Sequence, residues 1–179
     1  MWVTNINSMK KLTLIALIMV FSGISYGQAL PVVPEVDLER YSGLWYEIKR
    51  MPSRFERGCM DVTAEYTVTE KRYVRVVNSC SKGEDSKGRT RIKGKAFVKK
   101  GSNNAKLRVQ FFWPFRGDYW IIGLADDYSW AMVGDPSRRY LWILSRTKIM
   151  DPVLLDDLLL KAANLGFDTE MLEDGQSGI

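Results

Sequence analysis

The chain has 179 residues, enough for one domain with a sizeable core, and 26 Lys and Arg against 21 Asp and Glu give it a net charge of +5. It contains two cysteines and no histidine. The missing imidazole excludes Ser-His-Asp and Cys-His catalysis, histidine-ligated haem and histidine-based zinc sites.

The first segment reads as a leader. Lys10-Lys11 is followed by an apolar run from Leu12 to Ile24, and Ser25-Tyr26-Gly27 puts small residues around a cleavage point. The run is short of the roughly 20 residues that span a bilayer. A secretory signal is expected over residues 1–27, cut after Gly27 or Ala29, with one domain over 28–179. No cysteine precedes Cys59, so no acylated cysteine follows the signal. The expectation is a soluble periplasmic or secreted protein, not a lipoprotein.

Short alternating runs then follow one another, separated by turn residues. They cover Trp45–Met51, Met60–Val68, Tyr73–Asn78, Thr90–Val98, Lys106–Trp113, Tyr119–Ala125, Ser129–Gly134 and Tyr140–Ser145. A polar loop over 79–89 separates the third from the fourth. Eight antiparallel strands at this spacing predict an all-β, up-and-down barrel; a two-sheet sandwich is the alternative. A two-residue turn at Thr69-Glu70 would set Cys59 directly opposite Cys80, and an even cysteine count in an exported chain predicts a disulfide between them.

After the last strand the apolar period changes to that of a helix. Asp151 is suited to the N-cap and Pro152 to the first turn. Leu154, Leu155, Leu158, Leu159, Ala162 and Ala163 share one stripe, and Gly166 stops the helix. This one C-terminal helix should pack outside the barrel, with Phe167 and Leu172 continuing the contact. The tail from Asp174 to Ile179 is expected to be disordered.

Charge is spread along the chain except over Lys82–Lys100, where cations strongly outnumber acids. That stretch reads as a solvated face, with transient contact to an anionic membrane surface as the second option. No aromatic platform interleaves with it, so nucleic acid is not expected as a partner. Asp126-Asp127 reads as turn chemistry rather than a metal pair. No cofactor and no metal is expected.

Three motifs in order carry a family resemblance: Gly43-Leu44-Trp45 on the first strand, Asp127-Tyr128 in the turn before the seventh, and Arg146 after the last. Arg54-Phe55-Glu56-Arg57-Gly58, Phe111-Phe112-Trp113-Pro114-Phe115 and Tyr140–Thr147 add to it. With these the chain resembles the lipocalins over about residues 35–173, in particular the bacterial lipocalin and apolipoprotein D branch. The resemblance implies a barrel that carries a small hydrophobic ligand.

In such a barrel alternate residues face inward. Gly43, Trp45 and Arg146 would close the floor, the guanidinium lying on the indole ring. The inward parity predicts a ligand site from Glu47, Tyr66, Val76, Asn78, Val109, Phe111, Trp113, Tyr119, Ile121, Trp142 and Leu144. Lys49 and Gly123 fall on the same parity, and Ala131 and Val133 are preferred over Trp130 and Met132. Small residues at 64, 94, 96, 123 and 131 would leave space. The mouth loops should be 51–59, 80–89, 113–118 and 134–139, rimmed by Pro52, Phe55, Trp113, Phe115 and Arg116. A lone interior Glu47, with no second poised group, reads as structural, so no catalytic residue and no enzyme activity are expected. The expected function is an exported carrier of fatty acids or lysophospholipids, linked to membrane maintenance. The alternative is a protein-interaction module acting through the mouth loops.

Overall fold

The computed structural model describes residues 29–54, 56–82 and 89–178; the expected leader and Phe55 lie outside the described residues. The alternating runs form eight antiparallel strands. These are β1 (Gly43–Arg50), β2 (Cys59–Val68), β3 (Val74–Lys82), β4 (Arg89–Val98), β5 (Lys106–Gln110), β6 (Gly117–Leu124), β7 (Trp130–Gly134) and β8 (Leu141–Ser145). Each pairs with the next, and β1 pairs with both β8 and β2. The sheet therefore closes on itself as a barrel, which the sandwich alternative does not do.

Alternation sorts the apolar side chains into two layers. Trp45, Tyr66, Val76, Leu107, Ile121 and Leu144 pack with their neighbours inside the barrel. Outside it, Ile48, Ile122, Met132, Leu141 and Ile143 form a second layer. On β7, Ala131 and Val133 belong to the inner layer and Met132 to the outer, as predicted. The outer layer is covered by helix α2 (Pro152–Asn164) through Leu158 and Ala162, and then by Phe167. Asp151 caps α2 by accepting from the Val153 and Leu154 amides at 2.9 and 3.1 Å. A shorter helix not foreseen from the sequence, α1 (Leu38–Tyr41), precedes β1 at the barrel's closed end.

A wider turn and three bulges change the predicted register. The β2–β3 connection runs from Val68 to Val74, which are opposite one another, so the turn is wider than two residues. The Thr69 hydroxyl stitches it by donating to the Tyr73 carbonyl at 2.6 Å. A second shift falls between Met60 and Thr63, where Asp61 adopts φ 51°. Cys59 therefore lies opposite Lys82 rather than Cys80, yet the predicted Cys59–Cys80 disulfide forms, with Cα atoms 5.3 Å apart. On β1 the ladder to β8 shifts between Glu47 and Lys49. Lys49 then lies opposite Ile143 of the outer layer, and Arg50 takes the inward place expected for Lys49. On β6 the shift between Ile121 and Gly123 sets Gly123 against outward Met132, so it makes no room inside.

The tail is ordered through Gly178, contrary to expectation. The β1–β2 ladder ends at Tyr46–Thr63, which leaves the backbone groups beyond it without a neighbouring strand. Residues 173–176 fill that gap. Strand β9 (Glu173–Asp174) pairs with Arg50 and Lys49. The Gly175 amide donates to the Ile48 carbonyl at 3.0 Å, and the Gly175 carbonyl accepts from the Val62 amide at 2.9 Å. Gln176, 2% exposed, donates from its side chain to the Glu47 and Val62 carbonyls at 2.9 and 2.8 Å.

Candidate functional site: a one-ended shaft

The floor is built from the start of β1, α1, the β6–β7 turn and Arg146. Gly43 has φ +95°, a conformation that L side chains rarely adopt, and it turns the chain from α1 into β1. Trp45 is fully buried, and its indole donates to the Tyr41 carbonyl at 2.8 Å. The Arg146 guanidinium lies 3.8 Å from the Trp45 ring centre. It also donates to the carbonyls of Leu44, Arg40 and Tyr41 at 2.8, 2.8 and 3.2 Å, and to that of Tyr128 at 3.3 Å. Asp127 accepts from the Ser129 amide at 2.9 Å, shaping the turn. Among the described residues no group of His, Cys, Asp and Glu is placed to hold a metal ion.

Above the floor three phenols meet. Tyr119 shares hydrogen bonds with Tyr41 at 2.7 Å and with Tyr66 at 2.8 Å. Burial pushes all three hydroxyls above the ordinary tyrosine range, so they stay protonated at physiological pH. They offer a neutral polar patch in an apolar wall. Tyr41 was missed by the sequence reading; its only signal is the Asp37 N-cap that starts α1 four residues earlier.

Beside the phenols lies a buried charged group. Glu47 and Arg50 are 3% and 2% exposed and meet at 3.2 Å. Arg50 also donates to the Cys59 carbonyl at 2.9 Å. Burial, then the nearby Glu56 carboxylate, pushes Glu47 well above the usual carboxylate range, and Arg50 opposes that shift. Burial raises Glu56 too, against Arg50 and a hydrogen bond from Trp142. One guanidinium thus faces three carboxyls, those of Glu47, Glu56 and, at 3.6 Å, Glu173 of the tail, which favours keeping a proton in the cluster. Arg50 Nε, Glu56 Oε2 and Asn78 Oδ1 are buried polar atoms that find no hydrogen-bond partner. The Glu47-x-x-Arg50 spacing was the available signal for this pair, but uninterrupted alternation puts the two residues on opposite faces.

The rest of the inner surface is graded in burial. Tyr66, Val76, Ile121 and Leu144 are buried, whereas Asn78, Val109, Phe111, Tyr119 and Trp142 are half-buried. Trp142 stacks between Tyr119 and Tyr140, with ring centres 6.5 and 5.9 Å away, and carries an aromatic wall to the rim. Ten of the eleven predicted ligand-site residues stand on this inner surface; Trp113 does not. β5 ends at Gln110, three residues earlier than predicted, and Trp113 is 87% exposed in the following loop. The room expected at Gly94 is taken, since a Cβ there would lie 2.7 Å from the Phe111 ring. Phe112 and Phe115 share the Trp113 loop and are 57% and 76% exposed.

A closed antiparallel barrel with a sealed floor, one open end and a mostly apolar shaft defines a carrier of small hydrophobic molecules. A family model described as a lipocalin-like domain matches residues 36–177, and the chain belongs to the lipocalin family. The outer membrane lipoprotein Blc of Vibrio cholerae is 38% identical over 149 residues, covering 81% of this chain and 85% of that one. Apolipoprotein D of Mus musculus is 32% identical over 152 residues, covering 79% and 77%. Among solved structures, insecticyanin from the tobacco hornworm Manduca sexta superposes with a TM-score of 0.64 at 20% identity, covering 84% and 86% of the two chains; it shows the fold alone. The family is one of binding and transport proteins.

The comparisons correct one expectation. A soluble protein that is not a lipoprotein was expected because no cysteine precedes Cys59. The relatives from Vibrio cholerae, Citrobacter freundii and Escherichia coli, 38–39% identical, are all named outer membrane lipoproteins. The absence of one residue type before Cys59 does not outweigh them, and the barrel itself is compatible with anchoring.

Proposed function

We propose that this protein carries fatty acids or lysophospholipids in its shaft, for storage or transport in membrane maintenance. The observation that supports the reading best is the burial gradient along the inner wall, from a sealed floor to half-buried Asn78, Val109, Phe111 and Trp142. An acyl tail entering from the mouth gains about 0.8 kcal/mol for each methylene it buries. Its polar head stays near Asn78, Trp142 and the rim, where water limits the desolvation cost. Arg50, directly across the ladder from Trp142, is already engaged by Glu47, Glu173 and the Cys59 carbonyl, so among the described residues it offers an anionic head no unpaired charge there. The leader read over residues 1–27 would export the chain.

Titration with a fluorescent fatty acid, followed by displacement with lysophospholipid, tests this. Saturable, displaceable binding is expected; its absence sinks the reading. Trp142→Ala should weaken binding more than it weakens folding, and the opposite ranking would remove Trp142 from the ligand's path. A second reading, a protein-interaction module acting through the mouth loops, is favoured by the exposure of Phe112, Trp113 and Phe115. Loss of a captured protein on Phe115→Ala, with ligand binding intact, would support it.

A further inference from the structure

The shaft, floor and helix leave one strongly charged face without a role. β4 carries Arg89, Arg91, Lys93 and Lys95 at alternate positions, all outward and all exposed. β3 adds exposed Arg75 directly opposite Lys95, and β5 adds exposed Arg108. Like charges opposite one another across a ladder are destabilising, so this arrangement does not serve the barrel's own stability. Among the described residues no carboxylate stands within ion-pair distance of Arg75, Arg91, Lys93 or Lys95.

Two features give the face a shape. A shallow groove of about 320 Å³ is lined by Thr63, Ser79, Arg89, Arg91 and Lys93, with Glu65 also on its wall. Hydroxyl, guanidinium and ammonium donors grouped in this way suit phosphate oxygens. Beside the face lies the loop with exposed Phe112, Trp113 and Phe115. Arg116 of that loop sits 4.2 Å over the Phe97 ring on β4, mooring it to the same strand. Aromatic rings belong at head-group level in a bilayer, and cations beside them belong at the phosphates.

We propose that this face docks the barrel on an anionic phospholipid surface, with the groove taking head-group phosphates and the mouth held beside the bilayer. The docking rests on the carrier reading only for its purpose, since it needs no ligand in the shaft. Co-sedimentation of the full chain with phosphatidylcholine vesicles, with and without about one third phosphatidylglycerol, tests it at low and high salt. Partition onto anionic vesicles should be at least tenfold stronger and should fall steeply with salt. Arg91→Glu/Lys93→Glu should lose tenfold or more, while Lys148→Glu/Lys161→Glu, which makes the same charge change elsewhere, should not. Both variants should keep the wild-type affinity for a fluorescent fatty acid. Should the Glu variant fold poorly, Arg91→Gln/Lys93→Gln should show a smaller loss in the same direction. Equal partition onto both vesicle types overturns the proposal, as does equal loss in both charge variants. It is also overturned if Arg91→Glu/Lys93→Glu abolishes self-association, or capture of an acidic protein, while vesicle binding persists. Failure of the fatty-acid titration with docking intact would sink the carrier reading alone.

Discussion

Trp45 and Arg146 seal the floor by contacts that a substitution cannot replace piecemeal. Trp45→Ala opens a cavity under the shaft, takes the aromatic face from Arg146 and leaves the Tyr41 carbonyl without its indole donor. The expected loss is about 3–5 kcal/mol, measured by denaturant unfolding. A near-wild-type midpoint would refute the placement. Glu47 makes a different prediction, one of pH. Its folded form holds a proton more tightly than the unfolded chain does, because burial raises it above the ordinary 4.5. Between 4.5 and the raised folded value the native state binds more protons, so stability declines as pH rises through that window. Asp61, lowered from 3.8 chiefly by its hydrogen bond with Lys148, acts in the opposite sense and at lower pH, so it does not mask the effect. Burial raises Glu56 in the same sense, so Glu47→Gln, which keeps an oxygen facing Arg50, should reduce the decline in melting temperature without abolishing it; an unchanged slope would contradict the assignment.

The strap over residues 173–176 completes the seam where β1 and β2 part. A Cβ on Gly175 would lie 2.1 Å from the Glu47 carbonyl oxygen, a position that backbone cannot vacate cheaply. Gly175→Ala should therefore lift the strap, cost about 1–3 kcal/mol and speed hydrogen exchange at the Val62 amide. Unchanged protection at Val62 would show that the strap is dispensable. Strand periodicity made eight strands, the helix, its Asp151 cap and most inward residues readable from the sequence. Bulges were not readable, because an extra residue in a ladder leaves no mark on composition and reverses the parity beyond it. Lys49 and Gly123 were misplaced for that reason alone. The strap was equally hidden: Glu-Asp-Gly-Gln-Ser-Gly has the composition of a loose end, and only the gap beside Glu47 gives it partners.

The molecule is a barrel held at three places: the Arg146 floor, the strap, and the Cys59–Cys80 bridge near the mouth. The bridge closes a segment of 21 residues, for which chain entropy gives about 3 kcal/mol. The double change Cys59→Ser/Cys80→Ser should lower stability by about that amount while leaving fatty-acid affinity close to wild type, since the sulfurs pack with Val62 in a cluster of their own. A collapse of ligand affinity at unchanged stability would place the bridge in the binding path. The sequence disclosed the family but not the ligand, because Glu47, Arg50 and Glu56 acquire their shared environment only through folding.

The strap also has a mechanical meaning. Gln176 grips the carbonyl of Glu47, whose carboxyl lies buried beside Arg50, and the chain leaves the barrel at Ser177 and Gly178. Tension on anything beyond Gly178 loads the Ser177 hydrogen bonds to Asp61 first and then the Gln176 grip on Glu47, peeling β9 from β1 before a full strand must shear. A force applied from outside would thus reach the charged centre of the shaft while the floor still held.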